Sequence, residues 1–217
     1  MIAGLCVALW ITLTVASLAV SMFAFSSGEV RRAMFLALIE RLGANFSMDF
    51  VVVCDSLAAQ CPWARKLSRK PFSVLNLAKG GATLKEIGGQ ILRAGSIRKR
   101  YLLIDGGLND LLFEEAPVEQ IEYDFRALLR RLDPNARVVM TLMPYVSDPA
   151  FTARIDEANK VVRRLAEERG CAVVDLNSEL SSNGVRRPEM TNDGLHFSAL
   201  ADSIWNEAVR RQIAAKG

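Results

Sequence analysis

Short apolar segments alternate with amphipathic ones along most of the chain. Five segments have the length and β-branched composition of buried strands, namely Phe50–Cys54, Phe72–Leu77, Tyr101–Asp105, Arg137–Leu142 and Ala172–Leu176. Stretches of helical periodicity follow them: Leu57–Ser68, Leu84–Ala94, Val118–Leu132, Phe151–Arg169 and Ala199–Ala215. Such βαβ units place helices on both faces of a parallel sheet, because their crossovers are right-handed. The pattern therefore predicts an α/β fold, a three-layer α/β/α sandwich with a five-stranded parallel sheet, in one domain over residues 49–217.

The first part of the chain has a different pattern. Met1 to Phe25 is almost entirely apolar, and no charged side chain occurs before Glu29. About 20 apolar residues suffice to cross a bilayer as a helix. We therefore expect an N-terminal membrane anchor or uncleaved signal over residues 1–28, with residues 2–25 in the membrane, and a juxtamembrane helix and linker over residues 29–48. A cleaved secretory signal is the alternative, although the usual basic start of such signals is absent.

Composition and charge exclude several classes of protein. Lys and Arg number 27 against 24 Asp and Glu, so the net charge of +3 argues against a nucleic-acid binder. The hydrophobic fraction of 51% excludes a disordered chain. Four scattered cysteines without a CxxC do not make a disulfide scaffold. The chain has one histidine, which excludes a histidine-rich metal site and leaves His196 as the only imidazole.

Small, polar and acid–base residues follow the predicted strands. Because ligands of such sheets bind at the carboxyl ends of the strands, these positions indicate a site. The segments concerned are Cys54–Leu57, Asn76–Thr83, Asp105–Asp110 and Thr191–His196. Asp55 and Asp110 are expected to act as helix caps or loop braces rather than as reacting groups. Two arginines before the last segment, Arg186 and Arg187, suit either an anionic substrate or a solvated loop.

The residues at this edge suit nucleophilic catalysis. A serine hydroxyl such as that of Ser56 needs a base, and His196 is the only imidazole that can serve. A carboxylate must orient that imidazole, and Asp193 lies three residues upstream. Donors for a developing oxyanion are available in the Ser56 N–H, a glycine N–H from Gly80-Gly81 and the Asn109 carboxamide. Each residue also has an ordinary interpretation as a cap, turn or surface residue.

Four blocks in this order resemble the SGNH/GDSL hydrolase family. Cys54-Asp55-Ser56-Leu57 matches its Gly-Asp-Ser-Leu block, and Asn76 to Thr83 resembles the glycine block, with Gly81 at the oxyanion position. Gly107-Leu108-Asn109-Asp110 and Asp193-Gly194-Leu195-His196 match the remaining two blocks in full. The resemblance runs from about Asp49 to the C-terminal helix.

The resemblance implies a flavodoxin-like sandwich that hydrolyses esters. It implies Ser56, His196 and Asp193 as a catalytic triad, with Gly81 and Asn109 in the oxyanion hole. It implies no metal and no organic cofactor. The family acts on lipids, acylated sugars, thioesters and small esters. Cys54 departs from the motif glycine, and we expect strain there if the backbone requires a positive φ.

Other functions remain open on the sequence alone. One alternative is a non-catalytic binding or scaffold module with the same fold, and another is an acyltransferase with the same serine chemistry. A nucleotide binder is disfavoured, because no GxGxxG or P-loop spacing follows the first strand. We expect the catalytic domain on the extracytoplasmic side, with acylated envelope carbohydrate or lipid as substrate. The charge pattern at Arg31 and Arg32 points weakly to the other side.

Overall fold

Five strands form the parallel sheet in the computed structural model, which describes residues 47–63, 67 and 73–216. The strands are β1 (Ser47–Val53), β2 (Val74–Asn76), β3 (Arg98–Ile104), β4 (Val138–Thr141) and β5 (Ala172–Val174). Their order is β2-β1-β3-β4-β5, and every neighbouring pair is parallel. The predicted five-stranded parallel sheet is therefore confirmed. β1 lies between β2 and β3, so the loops after these two strands flank the turn that follows β1.

Seven α-helices are described, and they account for the remaining layers. They are α1 (Ser56–Gln60), α2 (Leu84–Gly95), α3 (Leu108–Leu112), α4 (Val118–Leu129), α5 (Thr152–Glu168), α6 (Asn177–Leu180) and α7 (Ala199–Lys216). Two 3₁₀ turns lie at Pro149–Phe151 and Pro188–Met190. A hairpin of β6 (Ser181–Ser182) and β7 (Val185–Arg186) precedes the last loop. The hydrophobic pattern had not predicted α3, α6 or this hairpin, since each is only two to five residues long.

The first predicted helix is shorter than expected. We predicted a helix over Leu57–Ser68, but α1 ends at Gln60, and Cys61 is extended with φ −70° and ψ 133°. Pro62 is the next residue, and a proline disfavours the helical conformation of the residue before it. The proline therefore explains why α1 ends at Gln60.

Apolar faces of the helices cover both sides of the sheet. α2 buries Leu84, Ile87, Ile91 and Ala94, at the spacing of one helical face. Below the last loop, the Trp205 ring of α7 meets the rings of Trp63 and Phe197 edge-on, with centroid distances of 4.6 and 5.3 Å. The Trp63 side chain is buried. These ring contacts attach the last loop to the hydrophobic core.

The predicted transmembrane helix over residues 1–28 lies outside the described residues, as does the predicted juxtamembrane segment up to residue 46. β1 begins at Ser47, two residues before the predicted start of the domain. Within residues 47–63, 67 and 73–216, no helix is both long enough and apolar enough to cross a bilayer.

Candidate active site

Ser56 is the first residue of α1 and follows β1 after a two-residue turn. Asp55 caps the helix, because its Oδ1 accepts the N–H of Leu57 at 2.9 Å. The residue before it, Cys54, is held by Gln90 of α2. The Gln90 Oε1 accepts the Cys54 N–H at 2.7 Å, and the Gln90 Nε2 donates to the Cys54 carbonyl at 2.9 Å. The turn that presents Ser56 is thus fixed by one side chain from a neighbouring helix.

His196 lies between Ser56 and Asp193. Its Nε2 is 3.1 Å from the Ser56 Oγ, and its Nδ1 is 2.7 Å from the Asp193 Oδ2. The other carboxylate oxygen of Asp193 accepts the backbone N–H groups of Leu195, at 3.0 Å, and of His196, at 2.7 Å. An ionised carboxylate only accepts hydrogen bonds, so the proton of a neutral imidazole lies on Nδ1 and Nε2 is free to accept the serine proton.

Hydrogen bonds also set the charge of Asp193. The bonds from the His196 ring and from the two backbone N–H groups hold the pKa of the Asp193 carboxyl well below its usual range. Asp193 is therefore ionised at neutral pH, although much of its side chain is exposed. Its negative charge lies next to the imidazole that would become positive if it took a proton from Ser56.

The loop that carries Asp193 and His196 is closed by its own polar side chains. The Thr191 hydroxyl donates to the His196 carbonyl at 2.7 Å, and the Asn192 carboxamide donates to the Phe197 carbonyl at 2.8 Å. An isolated β-bridge joins Thr191 and Phe197. These contacts fix the backbone on both sides of His196.

The oxyanion candidates lie on the two loops that flank the Ser56 turn. Gly81 follows β2 and has φ +70°, a conformation that favours glycine. Asn109 lies in α3, which begins after Gly107 at φ +94°. Its Nδ2 donates to the Ala82 carbonyl at 3.0 Å. A carboxamide nitrogen has two hydrogens, so this bond leaves one for another acceptor. The structure therefore brings Asn109 next to the glycine loop.

Asp55 and Asp110 have the bracing roles expected of them. The Asp110 carboxylate accepts the Leu84 N–H at 3.0 and 3.2 Å and so binds the start of α2. Asp55 is buried as the cap of α1, and burial raises the pKa of its carboxyl from 3.8 to about 6. Neither carboxyl has a hydrogen bond to Ser56 or His196 in the described structure.

Cys54 is fully buried, and its thiol donates to Asp105 Oδ2 at 3.1 Å. Cys54 is not among the non-glycine residues with positive φ, so the strain expected at the motif glycine is absent. Burial, with the nearby charges of Asp105 and Asp55, raises the pKa of the Cys54 thiol well above its usual value. Ligand atoms of these three residues lie within 4.8 Å of one another. A metal ion would require Cys54 as a thiolate, and burial disfavours that charged form. The three side chains therefore suit a proton shared between them better than a bound cation.

Two residues that support the site were not identified from the sequence. Gln90 is a polar residue on the otherwise apolar face of α2, and that exception was an available signal. Arg186 was placed on a substrate surface or a solvated loop, and both interpretations are wrong, because only 2% of the residue is exposed. Nothing in its neighbourhood in the sequence indicates burial.

Comparison with known proteins identifies a family. The model of the GDSL-like lipase/acylhydrolase family matches residues 42–202. A lipase/acylhydrolase from Enterococcus faecalis is similar in structure, with a TM-score of 0.66 and 18% identity over 78% of this chain and 96% of that one. A GDSL-like lipase from Bacteroides thetaiotaomicron has a TM-score of 0.68 and 14% identity over 84% of this chain and 98% of that one. At these identities the two likenesses show the fold alone.

A curated relative matches over part of its length. The N-acylneuraminate cytidylyltransferase of Streptococcus agalactiae serotype V is 24% identical over 144 residues, which are 65% of this chain. The chain spans 35% of the length of that relative.

Proposed function

Because the chain belongs to the GDSL-like lipase/acylhydrolase family, whose members act on esters, we propose that it hydrolyses an O-acyl ester with Ser56, His196 and Asp193. The observation that carries this proposal is the hydrogen-bonded series from Ser56 Oγ through His196 to Asp193, at 3.1 and 2.7 Å. A serine becomes a nucleophile when a base is positioned to take its proton, and this series provides that base.

The first half of the reaction forms an acyl-enzyme. The Ser56 Oγ attacks the acyl carbonyl carbon while its proton passes to His196 Nε2. Asp193 stabilises the imidazolium that results, through the hydrogen bond to Nδ1. The tetrahedral intermediate then expels the alcohol, which takes the proton back from Nε2. Ser56 is left as an ester of the acyl group.

The negative charge on the tetrahedral oxygen requires hydrogen-bond donors. The backbone N–H of Ser56, the N–H of Gly81 and the second Nδ2 hydrogen of Asn109 supply them in our proposal. Gly81 and Asn109 are connected through the Asn109–Ala82 hydrogen bond, so the two donors would move as one unit. Each such donor contributes on the order of 10²–10³ in rate.

The second half repeats these steps with water. His196 Nε2 takes a proton from water, and the hydroxide oxygen attacks the acyl carbon. The intermediate releases the carboxylic acid, and the proton on Nε2 returns to the Ser56 Oγ. An alcohol in place of water would make the protein an acyltransferase. Mass spectrometry of the products in the presence and absence of sugar acceptors distinguishes the two outcomes.

The test of the mechanism is fluorophosphonate labelling of the full-length chain in detergent, with turnover of p-nitrophenyl acetate measured in parallel. Ser56→Ala should lose both labelling and turnover, and His196→Ala should reduce turnover by at least about 10³-fold. Both variants should melt within a few degrees of the unmodified chain, because the two side chains are partly exposed. Ser203→Ala, an exposed serine of α7, is the matched control. Turnover that persists in both active-site variants would refute the mechanism.

A binding module with the same fold is the rival from another class. Its support in the sequence was the replacement of the motif glycine by Cys54, and the unstrained backbone at Cys54 removes that argument. A folded chain that binds a polysaccharide but never reacts with the fluorophosphonate would favour the rival.

Substrate and location complete the proposal. We propose that residues 2–25 anchor the protein in a membrane, with the hydrolase domain on the extracytoplasmic side and acylated envelope carbohydrate or lipid as substrate. The support is the uncharged run from Met1 to Phe25 and the family's range of esters. Alkaline extraction of membranes tests the anchor, and protease protection in intact cells tests the side. Release of the protein from membranes at alkaline pH would refute the anchor. Resistance of the domain to protease added outside intact cells would refute the extracytoplasmic side.

A further inference from the structure

A buried arginine lies beneath the loop that carries Asp193 and His196. Arg186 is the last residue of β7, and its backbone N–H donates to the Val146 carbonyl at 3.1 Å. Its side chain points inward from the hairpin, and only 2% of the residue is exposed. The Asn183-Gly184 turn, with φ +52° and +76°, joins β6 and β7. This tight turn fixes the strand from which the arginine extends.

The guanidinium group contacts both residues that flank His196. Its Nη1 donates to the Leu195 carbonyl, on one side of the histidine. Its central carbon lies 4.7 Å from the centre of the Phe197 ring, on the other side, in a cation–π contact. Among the residues that the structure describes, no other side chain has a polar or ring contact with both neighbours of His196. The planar group therefore acts on the histidine backbone from two directions.

The guanidinium remains charged despite its burial. Burial lowers the pKa of Arg186 to about 10, while the negative charges of Asp105 and Asp193 raise it. The group is therefore a cation at neutral pH. Two of its nitrogens, Nε and Nη2, have no hydrogen-bond partner among the described residues. Burial of a cation that is only partly hydrogen-bonded is unfavourable, and the contacts with Leu195 and Phe197 and the negative charge of Asp193 offset part of that cost.

We propose that Arg186 is a positioning residue that holds His196 in register with Ser56 and Asp193. It acts through the Leu195 carbonyl and the Phe197 ring, and it does not touch the reacting atoms. This inference concerns the site of the proposed function, but its central contacts do not depend on any turnover. Loss of the guanidinium should allow the 195–197 backbone to shift, and the distances from His196 to Ser56 and to Asp193 would lengthen together.

The test uses the single histidine of the chain as a probe. With histidine labelled by ¹⁵N and an affinity tag that contains none, the proton on Nδ1 gives one assignable low-field NMR signal. The full-length chain in detergent should show this signal. Arg186→Met, which keeps the aliphatic stem but not the charge or donor, should broaden it or abolish it. Arg186→Lys, which keeps a charge and a donor, should retain it. Arg187→Met is the matched control, because the Arg187 guanidinium bonds to the Glu179 carbonyl away from the loop.

Kinetics provide the second measurement. Arg186→Met should lower kcat by roughly 10- to 100-fold with KM within about threefold, since a small displacement of a catalytic group has effects of that size. Arg186→Lys should recover most of the loss. If Arg186→Met does not fold, Phe197→Leu, which removes the cation–π contact together with the edge-on contact to Trp205, should weaken the low-field signal. An unchanged signal in folded Arg186→Met overturns the inference. A changed signal in a protein without any esterase turnover would leave the positioning role intact and refute only the proposed function.

Discussion

Replacement of Gln90 by leucine should destabilise the domain and slow the reaction of Ser56. The two Gln90 hydrogen bonds to Cys54, at 2.7 and 2.9 Å, are the perturbed contacts. Leucine keeps most of the apolar volume in the core but has no polar atoms. The Cys54 carbonyl would keep the N–H of Lys79, which donates to it at 3.1 Å. The Cys54 N–H would have no acceptor, and this one buried group determines the size of the effect.

An unsatisfied buried N–H lowers the free energy of unfolding by about 1–3 kcal/mol. For a domain of this size, a loss of that order lowers the melting temperature by roughly 2–12 °C. Fluorophosphonate labelling should slow by about 10- to 100-fold, because Cys54 is two residues from Ser56 and fixes the turn. Calorimetry and timed labelling of the full-length chain provide both numbers.

Gln120→Leu is the matched control for this experiment. Gln120 is exposed on α4, and its Nε2 donates to Asp124 at 2.8 Å. Its replacement should change the free energy of unfolding by less than about 0.5 kcal/mol, with labelling unchanged. If Gln90→Leu behaved like Gln120→Leu in both measurements, the Gln90 hydrogen bonds to Cys54 would have no role in stability or in the presentation of Ser56.

Three further predictions concern the same edge of the sheet. Gly81→Ala should lower the free energy of unfolding in urea by about 1–2 kcal/mol and slow fluorophosphonate labelling, because Gly81 has φ +70°. Gly80→Ala should change neither quantity. Equal behaviour of the two variants would show that Gly81 has no special role. Cys54→Gly should lower the free energy of unfolding by about 1 kcal/mol without a gain in ester turnover, because the Cys54 backbone is unstrained. A large gain in turnover would show that the cysteine impairs the turn. Burial raises the pKa of Asp55 to about 6, so the folded state binds more protons than the unfolded state between about pH 4 and 6, and stability should fall as pH rises through that window. Between pH 4.5 and pH 7, the free energy of urea unfolding should fall by about 2 kcal/mol less in Asp55→Asn than in the unmodified chain, and an identical pH dependence in both chains would contradict this prediction.

The layers of the fold follow from features that are visible in the sequence. The strand segments are short, apolar and regularly spaced, so their burial between helices was predictable from the pattern. The end of α1 at Gln60 was also available, because Pro62 follows, but the apolar periodicity beyond it led to an overlong prediction. Hairpins of two-residue strands leave no periodic signal, so β6 and β7 could not be found in this way.

The candidate site was predictable to the extent that its residues lie in motifs at strand ends. Gln90 and Arg186 could not be placed in the same way, because their contacts depend on the folded arrangement of the chain and not on a motif. Gln90 contacts Cys54 over 36 residues, and its only mark is a polar side chain in an apolar stripe. Arg186 has an unremarkable polar neighbourhood in the chain, and its burial results from the hairpin that turns it inward.

The separation of Ser56 from His196 along the chain has a consequence for folding. The two residues are 140 positions apart, and β1, which carries the Ser56 turn, lies inside a parallel sheet whose strands pair only over long loops. Contacts of this kind form slowly, since the entropy of loop closure is lost before the contact stabilises the chain. The Ser56–His196 contact therefore requires the final loop and α7 to have docked. In a refolding experiment, Ser56 should become reactive only when the native topology is complete. This should occur later than the recovery of the helical circular-dichroism signal. Reactivity at Ser56 would therefore report the rate of the last step of folding.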